Sequence, residues 1–214
     1  MTTRPWEVGG HDERWDGYFA GPDLAVLANK VGATTPDELH AAENDLLEVR
    51  FVELRTGAVC LSRSYDTQHL KAIHFHLFQD VYEWAGEERT VGLRKGGGDS
   101  FMPPLEIERP LEHVWQRVAE TDKLRSIEAD ELPHEVAYLY DYVNFAHPFR
   151  EGNGRTQREF FDQLLSESGR GINWQLIEKD DLHTACHVAR NDQDLEPMER
   201  LFATMLNGNP AYQL

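Results

Sequence analysis

A chain of 214 residues is long enough for one domain with a sizeable core and too short for two ordinary ones. Its formal net charge of −17 excludes the broad basic face that a nucleic-acid backbone requires, so no direct nucleic-acid partner is expected; a local cluster of amides, arginines and a cation can still take a nucleotide. There is no repeat, no low-complexity tract and no uninterrupted run of about 18 apolar residues, so the class is globular and no membrane partner is expected.

The opening residues, "MTTRPWEVGGHDERW", lack the basic, apolar, small-residue order of a secretion leader. A cytoplasmic protein is expected, unless another machine exports it. Cys60 and Cys186 fit neither a disulfide framework nor a cysteine metal site and are expected as two unbridged, mostly buried thiols.

The first strong element is "TTPDELHAAENDLLEVRFVEL". Thr35 and Glu38 form a capping box with Pro36 at the first helical position, and Leu39, Ala42, Leu46, Val49 and Val52 recur at helical spacing. A second helix is expected over "DTQHLKAIHFHLFQDVYEWAG", with Leu70, Ile73, Leu77, Phe78, Val81 and Trp84 on one stripe and Gly86 as its stop. His74 and His76, two apart on that helix, do not share a face, so they are not a zinc pair.

After Gly86 the pattern changes. Short β-prone pieces at Thr90 to Leu93 and Ser100 to Met102 flank three glycines, Gly96 to Gly98, and a Pro-Pro stop, which predicts a small hairpin. Helical patterning returns in "RPLEHVWQRVAE" and in "LPHEVAYLYDYVNFA", where Pro133 marks a start and Val136, Leu139, Tyr140 and Val143 form the apolar face. Tyr138, Tyr140 and Tyr142 are assigned to core and rim. Phe161, Leu164 and Leu165 mark another helix, closed by Gly169, and two more are expected near Asp181 to Arg190 and Glu196 to Leu206. His183 and His187 are four apart on the former but lack a third ligand, and Asn191 is a candidate for lining a base pocket. The sum is an all-α fold, a bundle of roughly seven helices or more with one β-hairpin, in a single domain spanning 1–214.

The chemistry concentrates in "HPFREGNGRTQR", residues 147–158. His147 leaves one helix next to the start of another, and an imidazole with an ordinary pKa near ~6.5 can take a proton from a hydroxyl at neutral pH. Glu151 is a hard oxygen ligand suited to Mg²⁺, which takes one or two carboxylates together with substrate phosphates. Gly152, Asn153 and Gly154 let consecutive amides face one point, and the following helix adds its N-terminal dipole, worth about half a positive charge. Arg155 and Arg158 share a face of that helix. A polar turn with ordinary capping charges would use many of the same residues.

This stretch resembles the Fic family signature HxFx(D/E)GNGRxxR with every fixed position filled. The likeness extends to "LKAIHFHLFQDVYEWAGEERTV" and "NKVGATTPDELHAAE", and so to a core of about 28–205. The resemblance implies a Fic-fold protein adenylyltransferase, a nucleotidyltransferase that moves AMP from ATP to a Ser, Thr or Tyr hydroxyl of a target protein and releases pyrophosphate. By the same resemblance His147 is the general base and Glu151 holds Mg²⁺. Gly152, Asn153, Gly154, Arg155 and Arg158 bind the phosphates, and Phe149 fixes the loop from the core. The hairpin becomes a flap over the site, with Thr90, Val91, Gly92, Leu93, Phe101 and Met102 docking the target segment.

Kinase-like members of the family depart from GNGRxxR, whereas Gly154 and Arg158 are kept here, which favours AMP transfer. Transfer of another nucleotide, phosphate or phosphocholine, removal of AMP, and a non-catalytic binding module are the alternatives. Many relatives silence themselves with a helix of pattern (S/T)xxxE(G/N). The only glutamate outside the motif followed by Gly or Asn is Glu43, and Leu39 stands four before it, so no such helix is encoded. The resemblance then implies a toxin restrained in trans by a small separate antitoxin, with type II topoisomerase subunits as possible targets, or an exported effector delivered to a host cytoplasm.

Overall fold

The computed structural model describes residues 4–94 and 100–207; the expected hairpin tip, Gly96 to Gly98, lies outside them. Among the described residues there are eight α-helices: α1 (His11–Asp16), α2 (Pro36–Thr56), α3 (Thr67–Phe78), α4 (Glu108–Glu120), α5 (Leu132–Ala146), α6 (Asn153–Glu167), α7 (Lys179–Asn191) and α8 (Glu196–Asn207). Helix α5 is the hub, packing on α4, α6, α7 and α8, while α3 joins α6 to α2 and α4. The face predicted for α5 is the buried one: Val136, Leu139, Tyr140 and Val143 all lie inside. The two helices that bracket the motif are thus sandwiched by the rest of the bundle, and the loop between them has rigid ends.

Helix α2 begins at its capping box, Thr35 Oγ1 accepting from Glu38 N at 3.2 Å and Glu38 Oε2 accepting from Thr35 N at 3.2 Å. Its buried face differs from the expected stripe. Leu39, Glu43 and Leu47 are inside, while Val49 and Val52 are 56% and 51% exposed. Hydropathy ranks a carboxylate as outward, and only its distant partners, described below, turn this one in.

Helix α3 is capped by the Asp66 side chain, which accepts from His69 N at 3.0 Å, but it stops at Phe78 rather than running to Gly86. Val81 and Trp84 are buried as expected, in turns instead of a helix. The carbonyls of Gln79 and Val81 accept from Lys30 Nζ and Lys30 N, at 2.7 and 2.8 Å, so this stretch turns its backbone toward the N-terminal segment.

The hairpin reduces, among the described residues, to one antiparallel bridge between Arg94 and Ser100. Its second arm is spent elsewhere: Phe101 N reaches Leu93 O at 3.1 Å, but Met102 N donates to Phe145 O of α5 at 3.2 Å, and Pro103 and Pro104 follow. Cys60 is exposed and Cys186 half-buried, with no disulfide between them, so the expected burial fails for Cys60, which follows α2 on a surface turn. No described helix is long and apolar enough to cross a membrane.

Candidate active site

Helix α5 ends in a left-handed cap. His147 has φ 43° and its N–H donates to Val143 O at 3.1 Å. A non-glycine residue in this region costs about 1 kcal/mol or more, so the surroundings must hold it there. Arg89 supplies the hold. Its buried guanidinium donates to the carbonyls of His147 and Val91, both at 2.7 Å, to Ala146 at 3.2 Å, and to Met102. Arg89 N adds a bond to Pro148 O at 2.8 Å. Burial pushes the Arg89 guanidinium down to about 10. One cation thereby ties the base of the flap to the carbonyl end of α5, where the helix dipole favours positive charge.

The loop then closes on itself. The Asn153 side chain accepts from Phe149 N at 2.8 Å and donates to Phe149 O at 2.7 Å. Phe149 is buried against the His74 ring, with centroids 3.8 Å apart and planes 13° from parallel. His74 bridges two turns: its Nδ1 accepts from Gly86 N at 2.7 Å, and its Nε2 donates to Glu151 O at 3.0 Å. That pair of contacts requires the neutral ring, and burial holds its pKa at about 3.

The glycines divide their work. Gly152 has φ +81°, and a Cβ there would lie 2.3 Å from Phe78 Cζ, so both backbone and packing demand glycine. A Cβ on Gly154 would meet nothing within 4 Å, so the fold itself tolerates a side chain there. Gly154 instead lines a cavity of about 140 Å³ with His147 and Arg158. Gly154 belongs to the first turn of α6, whose amides lack upstream helical carbonyls. Helix α7 forms the opposite wall with Lys179, His183, Cys186, His187, Arg190 and Asn191. Asn191 and the His183 and His187 pair belong to this wall; among the described residues no group of three or more His, Cys, Asp or Glu is placed to hold a metal.

His147 Nδ1 lies 3.3 Å from Asn144 O, the position of a donor, which places the basic lone pair on Nε2. Phe101, next to the Arg94–Ser100 bridge, stacks on the imidazole. Arg158 carries no ion pair among the described residues.

Several expected site residues stand outside this cavity. Arg155 does not line the cavity; its guanidinium lies 4.9 Å over the Phe78 ring and pairs with Glu43 at 2.9 Å. Val91 is buried in the core, while Leu93, also buried, borders a groove that Gly92 and Phe101 line as well. Thr90 donates its hydroxyl to Trp6 O, anchoring the N-terminal segment. Gly92, Phe101 and Thr90 do border a second groove, between α1 and residues 103–106, that meets the first cavity at Ser100 and Phe101.

Sequence reasoning missed Arg89, His74 and Arg150. Arg150 fills a variable motif position, yet its guanidinium is packed among Trp15, Tyr18 and Phe19, at 4.6, 5.7 and 5.3 Å from their rings. The aromatic run near the N-terminus was the available signal for that contact; none existed for Arg89.

An all-helical bundle that presents a histidine from a left-handed helix cap and a glycine from the start of the next helix to one cavity defines a class, and comparison with known proteins agrees with it. The Fic/DOC family model matches residues 64–165, and the chain belongs to that family. It is 35% identical over 159 residues to a probable protein adenylyltransferase, y4lH, of Sinorhizobium fredii, covering 73% of this chain and 79% of that one. It is 36% identical over 167 residues to the protein adenylyltransferase VbhT of Bartonella schoenbuchensis, covering 78% of this chain. The chain spans only 34% of VbhT, about a third of its length. The crystal structure of the Bartonella tribocorum effector BepC with bound AMPPNP superposes with a TM-score of 0.82 at 25% identity, over 89% of this chain and 96% of that one.

Proposed function

We propose that the protein is an adenylyltransferase that moves AMP from ATP to a hydroxyl side chain of a target protein. The observation that carries this reading is the convergence of His147, Gly154 and Arg158 on one cavity at the start of α6. The names of the Sinorhizobium and Bartonella relatives, and the AMPPNP in BepC, point the same way.

In this reading the α6 amides and the open space over Gly154 receive the phosphate chain, and Arg158 takes its far end. The target segment reaches the cavity through the groove beside Phe101. His147 Nε2 accepts the hydroxyl proton as the oxygen attacks the α-phosphorus, and the bond to the β-phosphate oxygen breaks with its electron pair leaving on pyrophosphate. Glu151 suits Mg²⁺: its side chain is 45% exposed, and both recorded contacts, to Gly152 N and Arg155, use Oε1, leaving Oε2 for a hard cation. Bound there, Mg²⁺ would neutralise phosphate charge. An Arg158 that no described carboxylate engages is a cation a separate antitoxin could silence by supplying a glutamate, and restraint by such an antitoxin is part of this reading. Type II topoisomerase subunits are the proposed targets, with a host protein as the alternative for an exported form.

The test uses target-containing lysate, Mg²⁺ and ATP labelled at the α-phosphate in one tube and at the γ-phosphate in another. Transfer of α-label that His147→Ala abolishes is expected. Label from the γ-phosphate on protein, or no label in either tube, would overturn the reading.

A further inference from the structure

Glu43 sits on α2, remote in sequence from the motif, with its side chain only 6% exposed. A carboxylate that deep needs strong partners, and it has two. Oε1 accepts from Tyr82 Oη at 2.5 Å, and Oε2 accepts from Arg155 Nη1 at 2.9 Å. Burial and the negative charge of Glu43 push the Tyr82 hydroxyl up, so it stays a donor. On its other side the Arg155 guanidinium has a second carboxylate, Glu151, whose Oε1 lies 3.4 Å from Nη2. The guanidinium is thus shared unequally, short to Glu43 and long to Glu151, and the Phe78 ring beneath it limits where it can move.

We propose that Glu43 is a positioning residue, acting through Arg155 to keep the Glu151 carboxylate open to a divalent cation. The inference rests on the metal role given to Glu151 above. A guanidinium pairs bidentately with a single carboxylate when only one is in reach, and a carboxylate so engaged is a poor ligand for Mg²⁺. With Glu43 in place, Arg155 is drawn toward α2 and touches Glu151 with one nitrogen. Without it, Glu151 is the remaining anion of the cluster and captures the cation. The arrangement also accounts for Arg155 lying off the cavity: its part is to be held, not to hold phosphate.

The test measures Mn²⁺ affinity by electron paramagnetic resonance, in the presence of a non-hydrolysable ATP analogue, alongside analogue affinity in metal-free buffer and the thermal midpoint. Glu151→Gln defines the site-specific signal. Glu43→Gln keeps the acceptor for Tyr82 and is expected to weaken Mn²⁺ by about 10-fold, the lower end for a residue that supports a ligand, with metal-free nucleotide affinity unchanged. Arg155→Met removes the competitor and is expected to bind Mn²⁺ at least as tightly as the unaltered protein. The double variant is expected to recover what Glu43→Gln loses, a coupling that general loosening would not produce.

Unaltered Mn²⁺ affinity in Glu43→Gln overturns the inference while leaving the proposed function standing. Should Glu43→Gln fail to fold, Arg155→Met decides: weaker Mn²⁺ binding overturns the inference. A parent protein whose Mn²⁺ signal is indifferent to Glu151→Gln overturns the metal reading and this inference together.

Discussion

The ring of Phe101 lies flat on the imidazole of His147, with centroids 3.7 Å apart and planes 13° from parallel. The segment after the Arg94–Ser100 bridge therefore touches His147 directly. It supplies one wall of the slot in which the proposed base is held, with the Asn144 carbonyl at Nδ1 as a further restraint. Phe101→Ala should lower the turnover rate about 10-fold or more through loss of orientation, while Phe101→Tyr, which keeps the stack, should retain most of it. Steady-state kinetics with labelled ATP would check this, and an alanine variant with unchanged turnover would refute it.

Gly152 and Gly154 are separated by one residue and should respond oppositely. Gly152→Ala meets the Phe78 ring and a left-handed backbone, and should cost about 1–3 kcal/mol or more in urea unfolding. Gly154→Ala meets no atom of the fold and should leave unfolding within about 1 kcal/mol of the parent, yet weaken nucleotide binding, because its methyl would point into open space beside the cavity. Equal effects on stability would contradict the division.

Arg89 should be critical to stability. Arg89→Met leaves the carbonyls of Val91, Met102, Ala146 and His147 without their donor, and a loss of about 3 kcal/mol or more is expected by chemical unfolding. Arg89→Lys should recover only part of this, since an ammonium cannot fan out to carbonyls on two segments with the geometry of a guanidinium.

His74 gives a pH signature. Folded, burial holds its pKa at about 3, whereas in the unfolded chain an ordinary value near ~6.5 applies. Between those values the unfolded state binds the extra proton, so stability falls on acidification from about pH 6.5, by up to ~1.4 kcal/mol per unit for this group. His74→Gln should be less stable at pH 7 but show a shallower decline between pH 6.5 and 5. Parallel slopes for parent and variant would sink the assignment.

The sequence exposed what is local. The capping box of α2, the apolar face of α5 and the proximity of His147 to the glycines all follow from spacing within a few turns, and each is present in the fold. Interactions between distant residues were hidden. Glu43 pairs with a residue 112 positions away and Arg89 with a carbonyl 58 away, and neither leaves a periodic trace. The same blindness misplaced Val49 and Val52, because a stripe drawn by hydropathy passes over a glutamate that is inside only by virtue of its partners. For Arg155 the residue type was read correctly as a cation near the loop, but its direction is set by α2 and Phe78, which spacing along α6 does not encode.

Arg150 is wrapped by three rings from residues 15–19, whereas the family model's match starts at residue 64. A fragment trimmed to 64–165 would keep every fixed position of the motif and still strip the cover from Arg150, the Glu43 carboxylate from Arg155 and the α7 wall from the cavity. The smallest unit that can be recognised is therefore smaller than the smallest unit that can work, and excision at the recognisable borders should yield a polypeptide with a perfect signature and no site.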